Sequence, residues 1–224
     1  MDFADLLAAI AQLEGDFLIR FMTSHPRDAG KTLFATMAAY PKIATPLPLP
    51  FQSGSSRVLK AMNRHYDREK YLAAVEYAKS VMPDLVLTSD VIVGFPGETE
   101  EEFEETMTLI EKVRYDSLFT FIFSPRPGTP AAKMDDPTSK EEKNRRFDRL
   151  CALQNAISEE IHKSYVNKTM RCLVDGRDKE MLTARTEGGR LVRFAGDDAL
   201  IGTYQLLTIT GATTWSLSGV LSVK

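Results

Sequence analysis

Polar side chains follow four apolar segments of this sequence, at or just beyond the point where each segment ends. The four pairs are Ser24 and His25, Gln52 and Ser53, Ser89 and Asp90, and Ser124 and Arg126. Together they offer amide, hydroxyl, carboxylate and guanidinium groups, which suit the polar parts of a small ligand. In α/β barrels the functional groups lie at the carboxyl ends of the strands. The pattern therefore predicts one ligand site at one end of a parallel sheet.

Asp90 and Arg126 carry the charges of this predicted site. Asp90 lies in the buried run 85–93, where a carboxylate must be paired or hydrogen-bonded. Its partner is either a ligand or a structural arginine. Arg126 stands between two prolines, which present its guanidinium rigidly to a phosphate or carboxylate, although a surface turn explains the same pattern.

The stretch 91–98 forms the predicted connection between a strand and a helix. Gly94 and Gly97 let the backbone approach a ligand closely, or they serve only to turn the chain. Thr99 and Glu102 have capping-box spacing, which predicts that a helix begins there.

Alternating helix and strand patterns over residues 1–130 would position these groups. They indicate βα units on a parallel sheet, with strands at 17–22, 43–51, 85–93 and 117–123. A long amphipathic helix is predicted from 139 to about 163. The fold class is therefore α/β over residues 1–162.

The pattern changes after this helix. Short β-like segments separated by glycine-containing turns predict a small five-stranded antiparallel β-barrel over residues 163–224, with Trp215 in its core. These segments are 169–174, 181–186, 190–194, 204–210 and 213–223. The boundary between the two predicted domains falls at 162/163.

Charge differs between the two predicted domains. The whole chain of 224 residues has a net charge of −3, but residues 1–162 carry −6 and residues 163–224 carry +3. A basic module on an acidic body indicates a polyanionic partner, or it arises by chance. Arg171, Arg185, Arg190 and Arg193 are the residues expected to contact RNA phosphates.

Composition excludes several classes of protein. A hydrophobic content of 43% with 26% charged residues is that of a globular protein, and no apolar run is long enough to span a membrane, so cytoplasm is the expected compartment. The two cysteines, Cys151 and Cys172, are too few and too far apart for a metal cluster, so no metal site is expected.

Four motifs resemble the radical-SAM methylthiotransferases of the MiaB type. They are Leu-Pro-Phe-Gln-Ser-Gly-Ser at 49–55, Asp-Val-Ile-Val-Gly-Phe-Pro-Gly-Glu at 90–98, Phe-Ser-Pro-Arg-Pro-Gly-Thr-Pro-Ala-Ala at 123–132 and Thr-Trp-Ser-Leu-Ser-Gly at 214–219. The resemblance implies the carboxyl-terminal half of such an enzyme: about four of the six strands of a partial parallel (β/α) barrel, followed by a TRAM-like RNA-binding barrel. Pro48 stands where the family usually has histidine.

The resemblance also implies a function, methylthiolation of N6-dimethylallyladenosine at position 37 of tRNA. S-adenosyl-L-methionine (SAM) would be bound by Gln52, Ser53, Asp90, Gly94 and Gly97, and tRNA by Arg126 and the arginines of the second domain. The intact family member holds two [4Fe–4S] clusters on cysteines. Because those cysteine motifs are missing, we expect no cluster, and no complete catalysis, in this chain alone.

Three alternatives stay open at the level of sequence. The chain is a non-catalytic RNA-binding remnant, one half of a split enzyme, or part of a sister enzyme that modifies threonylcarbamoyl-adenosine in tRNA or a ribosomal protein. Besides tRNA, the expected partner is the missing amino-terminal half, or a second copy paired through the open barrel edge. No membrane partner is expected.

Overall fold

A three-stranded parallel sheet lies at the centre of the first part of the chain. A computed structural model describes residues 1–222. The strands are β1 (Pro46–Pro48), β2 (Val86–Val93) and β3 (Ser117–Ile122), in the order β1-β2-β3. The helices are α1 (Phe3–Ala11), α2 (Lys31–Ala39), α3 (Ser56–Ala61), α4 (Arg68–Val81), α5 (Glu100–Val113) and α6 (Lys140–Lys163). Within the described residues no helix has the length and apolar character needed to cross a bilayer.

The segment 17–22, expected to be a fourth strand, makes one isolated bridge to the residues just before β1 instead of a ladder. That bridge joins Ile19 to Ile43 in parallel. Further along, Pro46 and Pro48 face this segment, as shown by the Pro48 carbonyl, which accepts a hydrogen bond from Ser24 N at 3.0 Å. Proline has no N–H to donate, so the ladder cannot continue on this side. The predicted count of about four strands is therefore three strands and a bridge.

Side-chain caps fix where the flanking helices begin. Thr99 and Glu102 form the predicted capping box of α5, with the Thr99 hydroxyl accepting from Glu102 N at 3.3 Å and the Glu102 carboxylate accepting from Thr99 N at 2.9 Å. Ser139 caps α6 by accepting from Glu142 N at 3.1 Å. The apolar faces behind these caps pack on the sheet around the fully buried Tyr115.

Five further strands close into a barrel. They are β4 (Thr169–Asp178), β5 (Met181–Thr186), β6 (Leu191–Phe194), β7 (Tyr204–Ala212) and β8 (Leu217–Leu221), in the closed order β4-β5-β6-β8-β7. Four pairs are antiparallel, but β6 and β8 pair in parallel. The fully antiparallel prediction is wrong for this pair because an odd number of strands cannot alternate direction around a closed circle.

Trp215 is not in the core of this barrel. Its exposed fraction is 75%, because it lies in the turn between β7 and β8 rather than on a strand with an inward face. The core contains smaller apolar side chains. They are Cys172, Val174, Leu182, Ala184, Val192, Phe194, Leu207, Ile209 and Leu217.

The barrel packs against the amino ends of the parallel strands. A Cβ on Gly188 would lie 2.8 Å from Val86, the first residue of β2. Arg20 donates a hydrogen bond to the Thr186 carbonyl at 2.9 Å. At the end of α6, the buried His162 donates from Nδ1 to the Thr213 carbonyl at 2.7 Å. The barrel is thus joined to both the sheet and α6.

Candidate ligand cavity and barrel surface

A cavity of about 420 Å³ opens at the carboxyl ends of β2 and β3, the opposite end from the barrel. Its walls combine apolar side chains with an amide, a carboxylate and a guanidinium. The lining includes Gln52, Asp90, Ile92, Phe123, Ser124 and Arg126. Four of the predicted polar residues, Gln52, Asp90, Ser124 and Arg126, are therefore brought together at neighbouring strands of the sheet.

Gln52 is held at this cavity by its backbone. Its N–H donates to the Asp90 carbonyl and its carbonyl accepts from Ile92 N, both at 2.9 Å. Its φ of +66° is in the left-handed region, where a residue with a side chain is strained. The side-chain amide has no hydrogen-bond partner among residues 1–222, so it is available to a ligand.

Asp90 places a carboxylate in the same cavity. The side chain is partly buried and makes no hydrogen bond or ion pair within the described residues. Burial raises its pKa above the usual value for aspartate, and the positive charge of Arg64 offsets part of that rise. A partly desolvated carboxylate without a protein partner favours a ligand with ammonium or hydroxyl groups.

Ser53, Gly94 and Gly97 do not line the cavity, although the sequence placed them in the cofactor site. The Ser53 hydroxyl is buried and accepts a hydrogen bond from Ser55 N at 3.2 Å, which closes a local turn. Gly94 and Gly97 have φ of +71° and +74°, so they shape the loop after β2. A Cβ on Gly94 would meet the side chain of Lys143.

Glu98 is a structural residue that the sequence reasoning missed. It is 3% exposed and accepts a hydrogen bond from Gly94 N at 2.8 Å. Burial raises its pKa, while the Gly94 N–H and the Arg146 guanidinium, 3.4 Å away, oppose that rise. Glu98 therefore holds the loop between β2 and α5 in shape. Its position directly after Gly97, ahead of the run of glutamates that begins α5, was the available signal.

Comparison with known proteins places the chain in a family. Residues 1–110 match the model of the Radical SAM superfamily. The tRNA-2-methylthio-N(6)-dimethylallyladenosine synthase of Alkaliphilus oremlandii is 47% identical over 222 residues, which cover 98% of this chain and 47% of the relative. This chain belongs to the radical SAM superfamily. The synthase of the same description from Clostridium botulinum is 46% identical over 220 residues, 97% of this chain and 49% of the relative.

The radical SAM chain spans about half the length of the curated relatives that it matches. Among solved structures, coproporphyrinogen III oxidase from Escherichia coli, described as a radical SAM enzyme, superposes with a TM-score of 0.52 at 22% identity. That match covers 60% of this chain and 31% of the oxidase. It shows a shared radical SAM fold.

Three arginines on the outside of the barrel form ion pairs with aspartates of the same chain. Arg171 makes two contacts of 2.7 Å to Asp16 and stacks 3.7 Å from the centre of the Tyr204 ring. Arg185 contacts Asp175 at 3.0 Å, and Arg193 contacts Asp178 at 3.2 Å. An RNA phosphate would have to compete with these ion pairs.

Arg190 does not belong to the surface, in contrast to the sequence prediction. It is 7% exposed, forms an ion pair with Asp116 and lies 4.4 Å from the centre of the Tyr165 ring. Burial lowers the pKa of its guanidinium to about 10, so it stays charged at neutral pH. Because this side chain is enclosed between barrel and sheet, it cannot reach an RNA phosphate. Through its ion pair with Asp116, Arg190 holds the barrel against the sheet.

The two cysteines lie in different surroundings. Cys172 is in the barrel core, where burial raises the pKa of its thiol to about 12, and Cys151 is on α6, half-buried, with a raised pKa as well. Iron–sulfur clusters are held by several cysteine thiolates. Within residues 1–222, no group of three or more His, Cys, Asp or Glu side chains is placed to hold a metal ion. The described residues therefore do not supply the ligand set of an iron–sulfur cluster.

Proposed function

We propose that this chain supplies the SAM-binding cavity and part of the tRNA-contacting surface of a methylthiotransferase. Its substrate would be N6-dimethylallyladenosine at position 37 of tRNA. The observation that carries the proposal is the convergence of the Gln52 amide and the unpartnered Asp90 carboxylate at the strand ends. It occurs in a chain 47% identical to a synthase of that description.

The cavity matches the chemistry of SAM group by group. Asp90 would accept from the ammonium or ribose hydroxyls, and Gln52 would hydrogen-bond to other polar groups. Ile92 and Phe123 would pack on apolar parts, and Arg126 would bind a carboxylate or a substrate phosphate. Bound beside a reduced cluster, SAM supplies radical chemistry at a carbon–hydrogen bond. The two [4Fe–4S] clusters would be held by cysteines other than the two in this chain.

In this proposal, each of the two parts of the fold has its own role. Residues 1–162 would form part of the radical SAM barrel, and residues 163–224 would act as a TRAM-like RNA-binding barrel. A cytoplasmic location suits an enzyme of tRNA. The open sheet, with Phe119 and Phe121 more than half exposed, would be covered by an amino-terminal half or by a second copy.

Replacing Asp90 with asparagine is expected to weaken binding of S-adenosylhomocysteine by about tenfold to a hundredfold, because a hydrogen bond to a charged group is lost. Titration calorimetry on the whole chain measures this affinity. The raised pKa of Asp90 also predicts that affinity falls with acidification at a higher pH than for an ordinary aspartate, and that D90N abolishes this fall. The matched control is D148N, which changes an exposed carboxylate on α6. Equal affinity in D90N and D148N would contradict the proposal.

The barrel arginines give a separate prediction for tRNA. Changing both Arg185 and Arg193 to alanine should lower tRNA affinity and flatten the slope of log K against log salt by roughly 1.5, since each phosphate contact contributes about 0.7–0.9. Changing Asp175 and Asp178 to asparagine should have the opposite effect, because the arginines lose their competing carboxylates. Fluorescence anisotropy at several salt concentrations measures both. If neither the arginine nor the aspartate double variant changes the affinity for tRNA, this face of the barrel does not bind RNA.

The same two assays separate the alternative functions. A chain that binds tRNA but not S-adenosylhomocysteine would be an RNA-binding remnant. Binding of both ligands, with methylthiolation restored only after adding a cysteine-bearing fragment, would indicate one half of a split enzyme. Preference for tRNA with threonylcarbamoyl-adenosine, or for a ribosomal protein, would indicate a sister enzyme.

A further inference from the structure

The loop between β3 and α6 is attached to the rest of the molecule at very few points. It carries Ser124, Arg126 and Thr129 of the cavity wall, and its residues are mostly exposed. None of its side chains between 124 and 139 belongs to the hydrophobic core. In the described part of the chain, all hydrogen bonds and ion pairs of residues 124–136 stay within that segment, apart from the ion pair of Asp136 with Lys143.

Lys143 touches both ends of this loop from the first turn of α6. It is 8% exposed, and its ammonium pairs with Asp136 near the end of the loop. The same ammonium lies 5.9 Å from the centre of the ring of Phe123, the residue that begins the loop. Its aliphatic part occupies the space beside Gly94, where a Cβ would approach Lys143 Cγ to 2.6 Å. One side chain therefore joins the loop after β2 to both ends of the loop after β3.

We propose that Lys143 is a positioning residue that fastens the Arg126 loop against the ligand cavity. A buried ammonium needs its partner, so Asp136 is held where the loop must end. The cation–π contact holds Phe123 where the loop begins. With both ends fixed, the loop that carries Arg126 has fewer conformations than a loop held at one end, so it loses less conformational entropy when a ligand binds. The ligand part of this inference rests on the proposed function, whereas the fastening of the loop does not.

Trypsin cleavage after Lys133, an exposed residue of the loop, tests the fastening directly. K143M keeps the aliphatic contact with Gly94 and removes the charge, and D136N removes the partner. Each is expected to speed cleavage after Lys133 about tenfold at a temperature well below unfolding, and the double variant should be no faster than the faster single variant. The control K112M removes an exposed ion pair with Glu76 and should cleave as the unaltered chain does. Equal rates in K143M and K112M would overturn the inference.

Ligand affinity tests the consequence for the cavity. K143M and D136N should bind S-adenosylhomocysteine several-fold more weakly than the unaltered chain, although neither residue lines the cavity. K112M should bind it normally. Faster cleavage with unchanged affinity would overturn the link between the loop and the ligand. If the unaltered chain itself does not bind S-adenosylhomocysteine, the proposed function fails, and trypsin cleavage still decides whether Lys143 fastens the loop.

Discussion

Changing Asp116 to asparagine is expected to lower the free energy of unfolding by about 3–5 kcal/mol, the range for removing one partner of a buried ion pair. Asp116 Oδ2 accepts from Leu87 N at 2.8 Å, while Oδ1 pairs with Arg190 from the barrel. The side chains of Asp116 and Arg190 are 12% and 6% exposed. An asparagine amide leaves the Arg190 charge enclosed without its partner, and Arg190 Nε already lacks one among the described residues.

Denaturant unfolding of D116N, R190M and the double variant separates the pair from its parts. We expect both single variants to be strongly destabilised, and D116N/R190M to recover much of the loss because no unpaired charge remains buried. D148N, an exposed carboxylate on α6, is the control and should change stability by less than about 0.5 kcal/mol. If the double variant loses as much unfolding free energy as the two single variants together, the two residues act independently.

Changing Gly94 to alanine is expected to destabilise the chain by about 2–5 kcal/mol. A non-glycine residue at a φ of +71° costs roughly 1–2 kcal/mol, and the added Cβ would come within 2.6 Å of the buried Lys143 chain, which adds an overpacking cost of about 1–3 kcal/mol.

Gly97 provides the matched control. Its φ of +74° is almost the same, but nothing lies within 4 Å of an added Cβ. G97A should therefore carry only the backbone cost, about 1–2 kcal/mol. Thermal and denaturant unfolding of both variants measure the difference. Equal destabilisation would mean that the contact with Lys143 is unimportant, because both positions share the backbone cost.

Much of the fold could be predicted from local patterns. The β-branched run of β2, the capping box of α5 and the Gly-Gly turn between β5 and β6 each act over a few residues, and the structure follows them. Two other expected turns, at Gly176 and Gly211, are instead irregularities within β4 and β7. The fourth strand was overpredicted because the apolar run at 17–22 carries no information about the residues it would pair with. Proline at 46 and 48 removes donors on the side that this segment faces. The parallel β6/β8 pair depends on closure of the whole barrel, which no local pattern encodes.

The candidate site was predictable only in part, for a related reason. Gln52 and Arg126 follow β1 and β3, and Asp90 lies within β2 between them, so the topology of the sheet brings the three together. Arg190 looks like Arg193 in sequence, yet its turn packs on the sheet and its charge meets Asp116, 74 residues away in the chain. Lys143 lies 49 positions beyond Gly94, and no local pattern predicts the contact between them. Long-range contacts decide which charged side chains are structural.

The length of α6 sets a scale for the RNA expected under the proposed function. Between Lys143, which braces the cavity wall, and His162, which contacts the barrel, this helix rises roughly 28 Å. Under the proposed function, a target nucleotide in the cavity and phosphates on the barrel are therefore separated by most of the body of the protein. A free nucleoside or a few nucleotides can engage only one of them. The affinity for RNA would then rise abruptly with length, once an RNA is long enough to contact both the cavity and the barrel.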